Sequence, residues 1–423
     1  MNRRILVPLA VVPLMACSSG SGTEPDPTLE VGSVVVVSGR AQVGWPERRL
    51  PNPLVAEVRD TDGAPMPDAV VTWSVASGGG SLDVGSSVTG ANGRAQASWT
   101  LGRGSVDQAV LAQAGEATAA FFPGEVGVTG HWQQVAPLPE AVRAPAAATD
   151  GSRIFLFGGA DANSSIMRST QIFDPATGSW SEGAQIPIGV VWSTAVHISG
   201  RIHLLGGVTP SVAASDGHWI YDIGTDGWSS GPALPAPAAG AASALVGGVL
   251  VVAGGIDAPT VYSANVHLYD PTNSTWDVAG DAPEKLINWQ AASINGRFLV
   301  TGGTGPGRVT SARLYEYDPT SDDWAERAPL PRETEGFAGT EVDGMFCVIG
   351  GRETPPIGSF NTPFDDVECF DEALGVWLTG PRFPERVQES GAADLGDALY
   401  VMGGWLADET VTDAVYRLPR PPA

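Results

Sequence analysis

The sequence predicts an all-β protein built from many short strands joined by tight turns, and three observations predict it. Gly and Pro together make up 88 of the 423 residues, alongside abundant Val, Thr and Trp, a mixture that suits strands punctuated by turns rather than long helices. A stretch from about 29 to 124 alternates hydrophobic runs with turn signals at short spacing. From about 130 to 420 the chain repeats itself with a period close to 48 residues. With 43% hydrophobic residues there is enough apolar material for real cores. The formal net charge of −24 leaves no basic footprint for a phosphate backbone, so nucleic acid is not an expected partner.

Residues 1–16 read as an address. Arg3 and Arg4 give a positive start, and Ile5 to Met15 is an apolar run interrupted by Pro8 and Pro13. That run falls short of the roughly 20 residues a membrane span needs. It ends in Leu14-Met15-Ala16-Cys17, which resembles the bacterial lipoprotein signal, and the resemblance implies acylation at Cys17. An ordinary secretion signal that happens to contain a cysteine is the alternative. Residues 17–28 are rich in Ser, Gly and Pro and suit a flexible tether. The expected location is therefore the bacterial cell envelope, lipid-anchored, with Ser18 favouring the outer membrane in a Gram-negative host.

Between 29 and 124 the strands are Val34–Val37, Leu54–Val58 and Val70–Val75, with turns at Asp60-Thr61-Asp62-Gly63 and Gly78-Gly79-Gly80. This spacing suits an antiparallel β-sandwich. Asp60-x-Asp62-Gly63 is not a calcium loop, because the twelfth position is Val71 rather than a bidentate carboxylate. The Asp-Thr-Asp-Gly turn with Pro65 and Pro67, Val71-Thr72-Trp73, and Asn92-Gly93-Arg94-Ala95 leading to Trp99-Thr100-Leu101-Gly102 resemble bacterial Ig-like domains of the invasin and intimin type. The resemblance implies a rigid spacer or adhesion unit and no chemistry.

The repeats carry four markers in register. Gly-Gly doublets fall at 158–159, 206–207, 254–255, 302–303, 350–351 and 403–404, each ending a hydrophobic run. Trp132, Trp180, Trp228, Trp276, Trp324 and Trp377 each precede a doublet by 26 residues. An aromatic–Asp pair precedes each Trp from the second onward by seven residues, and a Pro follows each Trp by seven. These markers resemble the kelch repeat, which implies four-stranded blades of a β-propeller. A lone four-stranded sheet cannot bury both its faces, so blades must stack around an axis, with a large aromatic between each pair. The chain enters the repeats on an outermost strand around Gln133 and leaves on a third strand around Val415. Joining the two completes a sixth blade and removes exposed edges. The expected architecture is thus an Ig-like β-sandwich followed by a six-bladed kelch β-propeller over 130–420.

The kelch resemblance implies that two sets of loops share one face. The loops linking the fourth strand to the next blade carry Arg143, Trp192, Asn288, Trp289, Arg332, Glu335, Phe337, Gln388 and Glu389. The loops after the Gly-Gly doublets carry Asp161, His218, Tyr262, Arg308, Arg352, Glu353, Trp405 and Asp408. Residues 355–361, in the longest repeat, are expected to overhang this mouth. Aromatic platforms beside carboxylates and Arg suit a carbohydrate or peptide. Arg143, Trp192, Trp289, Arg332, Glu335, Gln388 and Trp405 are therefore the expected ligand-binding residues.

Catalytic motifs are lacking. The five histidines form no H-E-x-x-H, the cysteines form no C-x-x-C, and Gly227-Trp228-Ser229-Ser230-Gly231 matches G-x-S-x-G on an outer strand with no helix following. Galactose-oxidase-like chemistry needs a Tyr–Cys cross-link, whereas Cys347 and Cys369 fall on interior strands of one repeat. Those two cysteines suit either a disulfide, in an oxidising compartment, or two small buried hydrophobes. No cofactor, metal or catalytic residue is expected. The partner is an extracytoplasmic protein or glycan, the membrane is met only through the anchor, and the chain is expected to be monomeric. The rival reading is a sugar-modifying enzyme of the sialic-acid epimerase (mutarotase) type, using Glu335 beside Arg143 or Arg332.

Overall fold

A computed structural model describes residues 30–39, 42–43, 49–50, 52–102, 108–121, 126–127, 132–354 and 362–420. Residues 1–29, which hold the expected signal segment and tether with Cys17, and residues 355–361 lie outside the described residues.

In the N-terminal unit, strands Val31–Ser38, Leu54–Asp60 and Arg94–Ala97 form one antiparallel sheet. The other sheet runs in the order Ala117–Phe121, Ala109–Ala114, Val70–Ser77, Ser86–Val88. Strict alternation drives this pairing: along Val70–Ser77, Val71 and Trp73 point inward while Val70 and Thr72 face solvent. Inward residues of both sheets, among them Ala56, Val58, Val71, Trp73, Ala95, Val110 and Phe121, share one core. Asp60 makes a plain turn, its Oδ1 accepting from the backbone N–H of Asp62 and of Ala64 at 3.0 and 2.9 Å.

The repeats form six four-stranded antiparallel sheets. Blade 1 comprises Ala146–Thr149, Ile154–Phe157, Thr170–Asp174 and Ser179–Glu182; blade 2, Thr194–Ile198, Arg201–Leu205, His218–Asp222 and Gly227–Ser230; blade 3, Ala242–Val246, Val249–Ala253, Val266–Asp270 and Thr275–Val278. Blade 4 comprises Gln290–Ile294, Arg297–Thr301, Leu314–Asp318 and Asp323–Arg327; blade 5, Ala338–Val342, Met345–Ile349, Val367–Asp371 and Val376–Thr379. Blade 6 takes Gly391–Asp394, Ala398–Met402 and Val415–Pro419 from one end of the repeats and Gln133–Gln134 from the other. Each innermost strand packs against the innermost strands of both neighbours, and the circuit returns from blade 6 to blade 1.

The sequence markers are the joints of this wheel. The second glycine of every doublet donates its N–H to a carbonyl at the start of the next blade: Gly159 to Val190, Gly207 to Ala238, Gly255 to Leu286, Gly303 to Thr334, Gly351 to Val387 and Gly404 to Val142, all at 2.8–3.0 Å. The first glycine has positive φ, and a Cβ there would collide with that carbonyl or with the adjacent ring, as Gly206 would with Ala238 and Gly254 with Trp289. The aspartate of each aromatic–Asp pair ties the hairpin to the outermost strand: Asp174 accepts from Ala176 N–H at 2.9 Å and Asp270 from Thr272 N–H at 2.7 Å. The repeat tryptophans reach to the preceding blade. Their indole N–H groups donate to carbonyls at Pro381 (Trp132), Ala136 (Trp180), Ala184 (Trp228), Pro232 (Trp276) and Ala328 (Trp377), at 2.8–3.0 Å.

In blade 5, Cys347 and Cys369 are direct cross-strand partners, fully buried and joined by a disulfide.

Candidate ligand-binding mouth

One short contact recurs in every blade. A residue entering the innermost strand pairs with a residue 17 positions later, just past the Gly-Gly doublet: Arg143 with Ala160, Val191 with Val208, Ala239 with Ile256, Ile287 with Thr304, Glu335 with Arg352 and Gln388 with Trp405. These contacts place the two loop sets together on one face.

The residue after each entry position is left-handed in all six blades: Ala144, Trp192, Gly240, Asn288, Gly336 and Glu389, with φ between 49° and 69°. These six residues surround the axis. Backbone hydrogen bonds link them from blade to blade, with Gly240 N–H donating to Trp192, Asn288 to Gly240, Gly336 to Asn288, Glu389 to Gly336 and Ala144 to Glu389, at 2.6–3.2 Å. The six residues line a small cavity of about 60 Å³, together with Ser193, Gln290 and Ser390.

Around the ring sits a polar cluster. Glu335, only 4% exposed, accepts from Arg352 Nε at 3.1 Å, Thr354 Oγ1 at 2.7 Å and Asn288 Nδ2 at 3.4 Å. Burial alone would raise its carboxyl pKa, but the Arg352 charge and the hydroxyl donors outweigh burial and hold it below the ordinary glutamate value. Arg352 also donates to Gln388 Oε1 at 2.6 Å. Beside it, at the junction of blades 6 and 1, Arg143 donates to Glu389 at 2.8 Å and lies over the Trp405 ring at 4.9 Å. Two arginines and two glutamates thus compensate one another, and the surface offers aligned donors and acceptors with little net charge.

Several expected residues stand elsewhere. Trp289 is 1% exposed, donates its indole N–H to Ala253 at 3.1 Å and fills the space over Gly254. It follows the left-handed Asn288, and that turn sends the next side chain inward, so Trp289 packs in the core and reaches the ligand face only where it lines the axial cavity. Phe337, after Gly336, is buried for the same reason. Gln388 is 2% exposed and braces Arg352 from below rather than facing solvent. Arg332 covers Phe364 at 3.6 Å and pairs with Asp366, in an outer groove with Leu330, Val348 and Glu368 rather than at the axis. His218 is buried within blade 2, its Nε2 2.8 Å from His203 Nδ1. Asp161 and Asp408 cap their own turns. Arg143, Trp192, Glu335 and Trp405 do meet at the mouth. Thr354 escaped sequence reasoning, although the fixed 17-residue offset that pairs Glu335 with Arg352 was present in every repeat.

The KLHDC2/KLHL20/DRC7 Kelch-repeats domain matches residues 128–279 and 193–404. No curated protein matches the chain. Among solved structures, that of YjhT is similar with a TM-score of 0.58 and 15% identity, over 66% of this chain and 95% of that one. The likeness is one of fold. With the doublets, tryptophans and blade order described above, the match over more than half of the sequence means that the chain belongs to the kelch-repeat family.

Proposed function

We propose that this is a lipid-anchored cell-envelope protein that presents its kelch propeller, on an Ig-like spacer over 29–124, to bind an extracytoplasmic protein or glycan. The observation that carries the binding role is the charge-compensated cluster of Arg143, Glu335, Arg352 and Glu389 beside Trp405. Such a surface recognises polar, largely uncharged groups through oriented hydrogen bonds and one aromatic face. The anchor rests on Leu14-Met15-Ala16-Cys17 and the tether that follows. The spacer rests on the two sheets that share one core. The epimerase reading needs a carboxyl that gains and loses a proton. Glu335 is instead held ionised by Arg352 and Thr354, which suits a fixed acceptor and favours binding over turnover.

A glycan array and a pull-down from envelope extract, comparing wild type with Glu335→Ala and Trp405→Ala, test the binding role. Loss of the bound species in both variants supports it, and sialic-acid interconversion abolished by Glu335→Ala supports the rival. Palmitate labelling that survives Cys17→Ser overturns the anchor.

A further inference from the structure

The ring of left-handed residues at the axis has one open joint. Five junctions carry a backbone hydrogen bond, but the sixth, between Ala144 and Trp192, carries none. Two further groups at that joint are buried and without a hydrogen-bond partner: the indole Nε1–H of Trp192 and the hydroxyl of Ser193. Trp192 is itself held at φ 55°, a conformation that disfavours a bulky side chain. Blades 3 and 5 meet the same demand with Gly240 and Gly336. Ala144, Trp192 and Ser193, the residues of this joint, all line the axial cavity of about 60 Å³. That is room for roughly two water molecules, or for one small polar group.

We infer that this joint is a subsite for an amide group of the ligand. The main-chain N–H of Trp192 and carbonyl of Ala144 are what an amide would satisfy, its oxygen accepting from one and its N–H donating to the other. The Trp192 indole N–H and the Ser193 hydroxyl are further unpaired donors at the same joint. The local charges are already compensated by Arg143–Glu389 and Glu335–Arg352, so a neutral amide fits better than a carboxylate. Two sources supply this chemistry: the acetamido group of an N-acetylated sugar and the amide of a peptide. The inference rests on the proposed binding role of the mouth and locates the specificity within it.

Calorimetric titration of the full chain with N-acetylglucosamine, N-acetylalanine amide, glucose and acetate tests it. At least one amide probe should bind saturably while glucose and acetate do not, and which probe binds identifies the source. Trp192→Phe, which removes only the indole N–H, and Ser193→Ala should each weaken that binding about tenfold. Trp192→Gly should abolish it without lowering the melting temperature, because glycine relaxes the left-handed backbone. Amide probes that bind no better than glucose, or binding untouched by Trp192→Phe and Ser193→Ala, overturn the subsite. If Glu335→Ala and Trp405→Ala still abolish capture of the larger partner in that case, the mouth reading stands and only the subsite falls.

Discussion

The indole N–H of Trp228 donates to the carbonyl of Ala184, 44 residues earlier and on the far side of a blade boundary, at 2.8 Å. The same bond recurs for Trp132, Trp180, Trp276 and Trp377, whereas the indole N–H of Trp324 is buried without a partner. The repeat tryptophan therefore does two separable jobs: its ring fills the boundary between blades, and its N–H fixes their stagger.

Replacing Trp228 by Phe should remove the second job alone. Ala184 keeps the Thr170 hydroxyl as a donor at 2.8 Å, so the expected loss is about 1 kcal/mol. Trp228→Ala, which also empties the boundary, should cost about 3 kcal/mol or more. Trp324→Phe should be close to neutral, since no hydrogen bond is lost. Urea unfolding of the three variants checks the ranking, and equal costs for the two Phe variants would contradict it.

Ring closure depends on Val415–Pro419, which lies between Gln133–Gln134 and Ala398–Met402 in blade 6. Val415 and Leu418 are buried, and Gln133 and Gln134 pair with Arg417 and Tyr416. A chain ending at Ala414 loses an interior strand and strands its outermost one. Its expected behaviour is a broad, non-cooperative thermal transition by calorimetry, against a sharp one for the full chain.

Much of this architecture was legible because each marker has one physical job repeated in every blade. The doublets need positive φ and no Cβ, the tryptophans need a boundary to fill, and the aspartates need a turn to cap, so each leaves a residue type at a fixed offset. The mouth was legible only by half. Loop membership was correct for Arg143, Glu335 and Trp405, but side-chain direction was not, because it depends on the left-handed residue at the mouth. Asn288 and Gly336 look unremarkable in sequence, yet they turn Trp289 and Phe337 into the core. Arg332 was displaced for another reason: Phe364 and Asp366, more than 30 positions away in sequence, offer it a ring and a charge at the outer groove.

Acid should destabilise the propeller through blades 2 and 3. Burial first, then electrostatic repulsion between it and His218, Arg201 and His197, pushes His203 from 6.5 to about 4, and burial lowers His218 and His267 as well. A group whose folded pKa is depressed in this way stays neutral in the fold while the unfolded chain takes up protons. Stability should therefore begin to fall as pH drops below about 6.5 and keep falling toward about 4, by about 3 kcal/mol for His203 alone. Both ring nitrogens of His267 are buried without partners. His267→Leu should thus stabilise the protein by about 1 kcal/mol at neutral pH and flatten the acid slope. Denaturation midpoints of both proteins at several pH values between 7.5 and 4.5 check the sign; a wild-type midpoint that does not move contradicts it.

Glu335 and Arg352 offer the sharpest test of whether the mouth is preorganised. Their nitrogen–oxygen separation is 3.1 Å, and their side chains are 5% and 15% exposed. Glu335→Gln keeps an acceptor for Thr354 and Asn288 but leaves the Arg352 charge with only Gln388 and partial solvent. That should cost about 2 kcal/mol, less than the 3–5 kcal/mol typical of a fully buried pair because Arg352 is not fully desolvated. Arg352→Gln should cost a similar amount by stranding the glutamate. The double variant Glu335→Gln, Arg352→Gln removes both charges at once and should recover most of the loss, giving a coupling energy of about 3 kcal/mol in a double-mutant cycle. If the losses simply add, the two groups act independently and the mouth lacks the fixed geometry that selective recognition requires. Recovery of stability without recovery of ligand capture would instead assign the pair directly to binding.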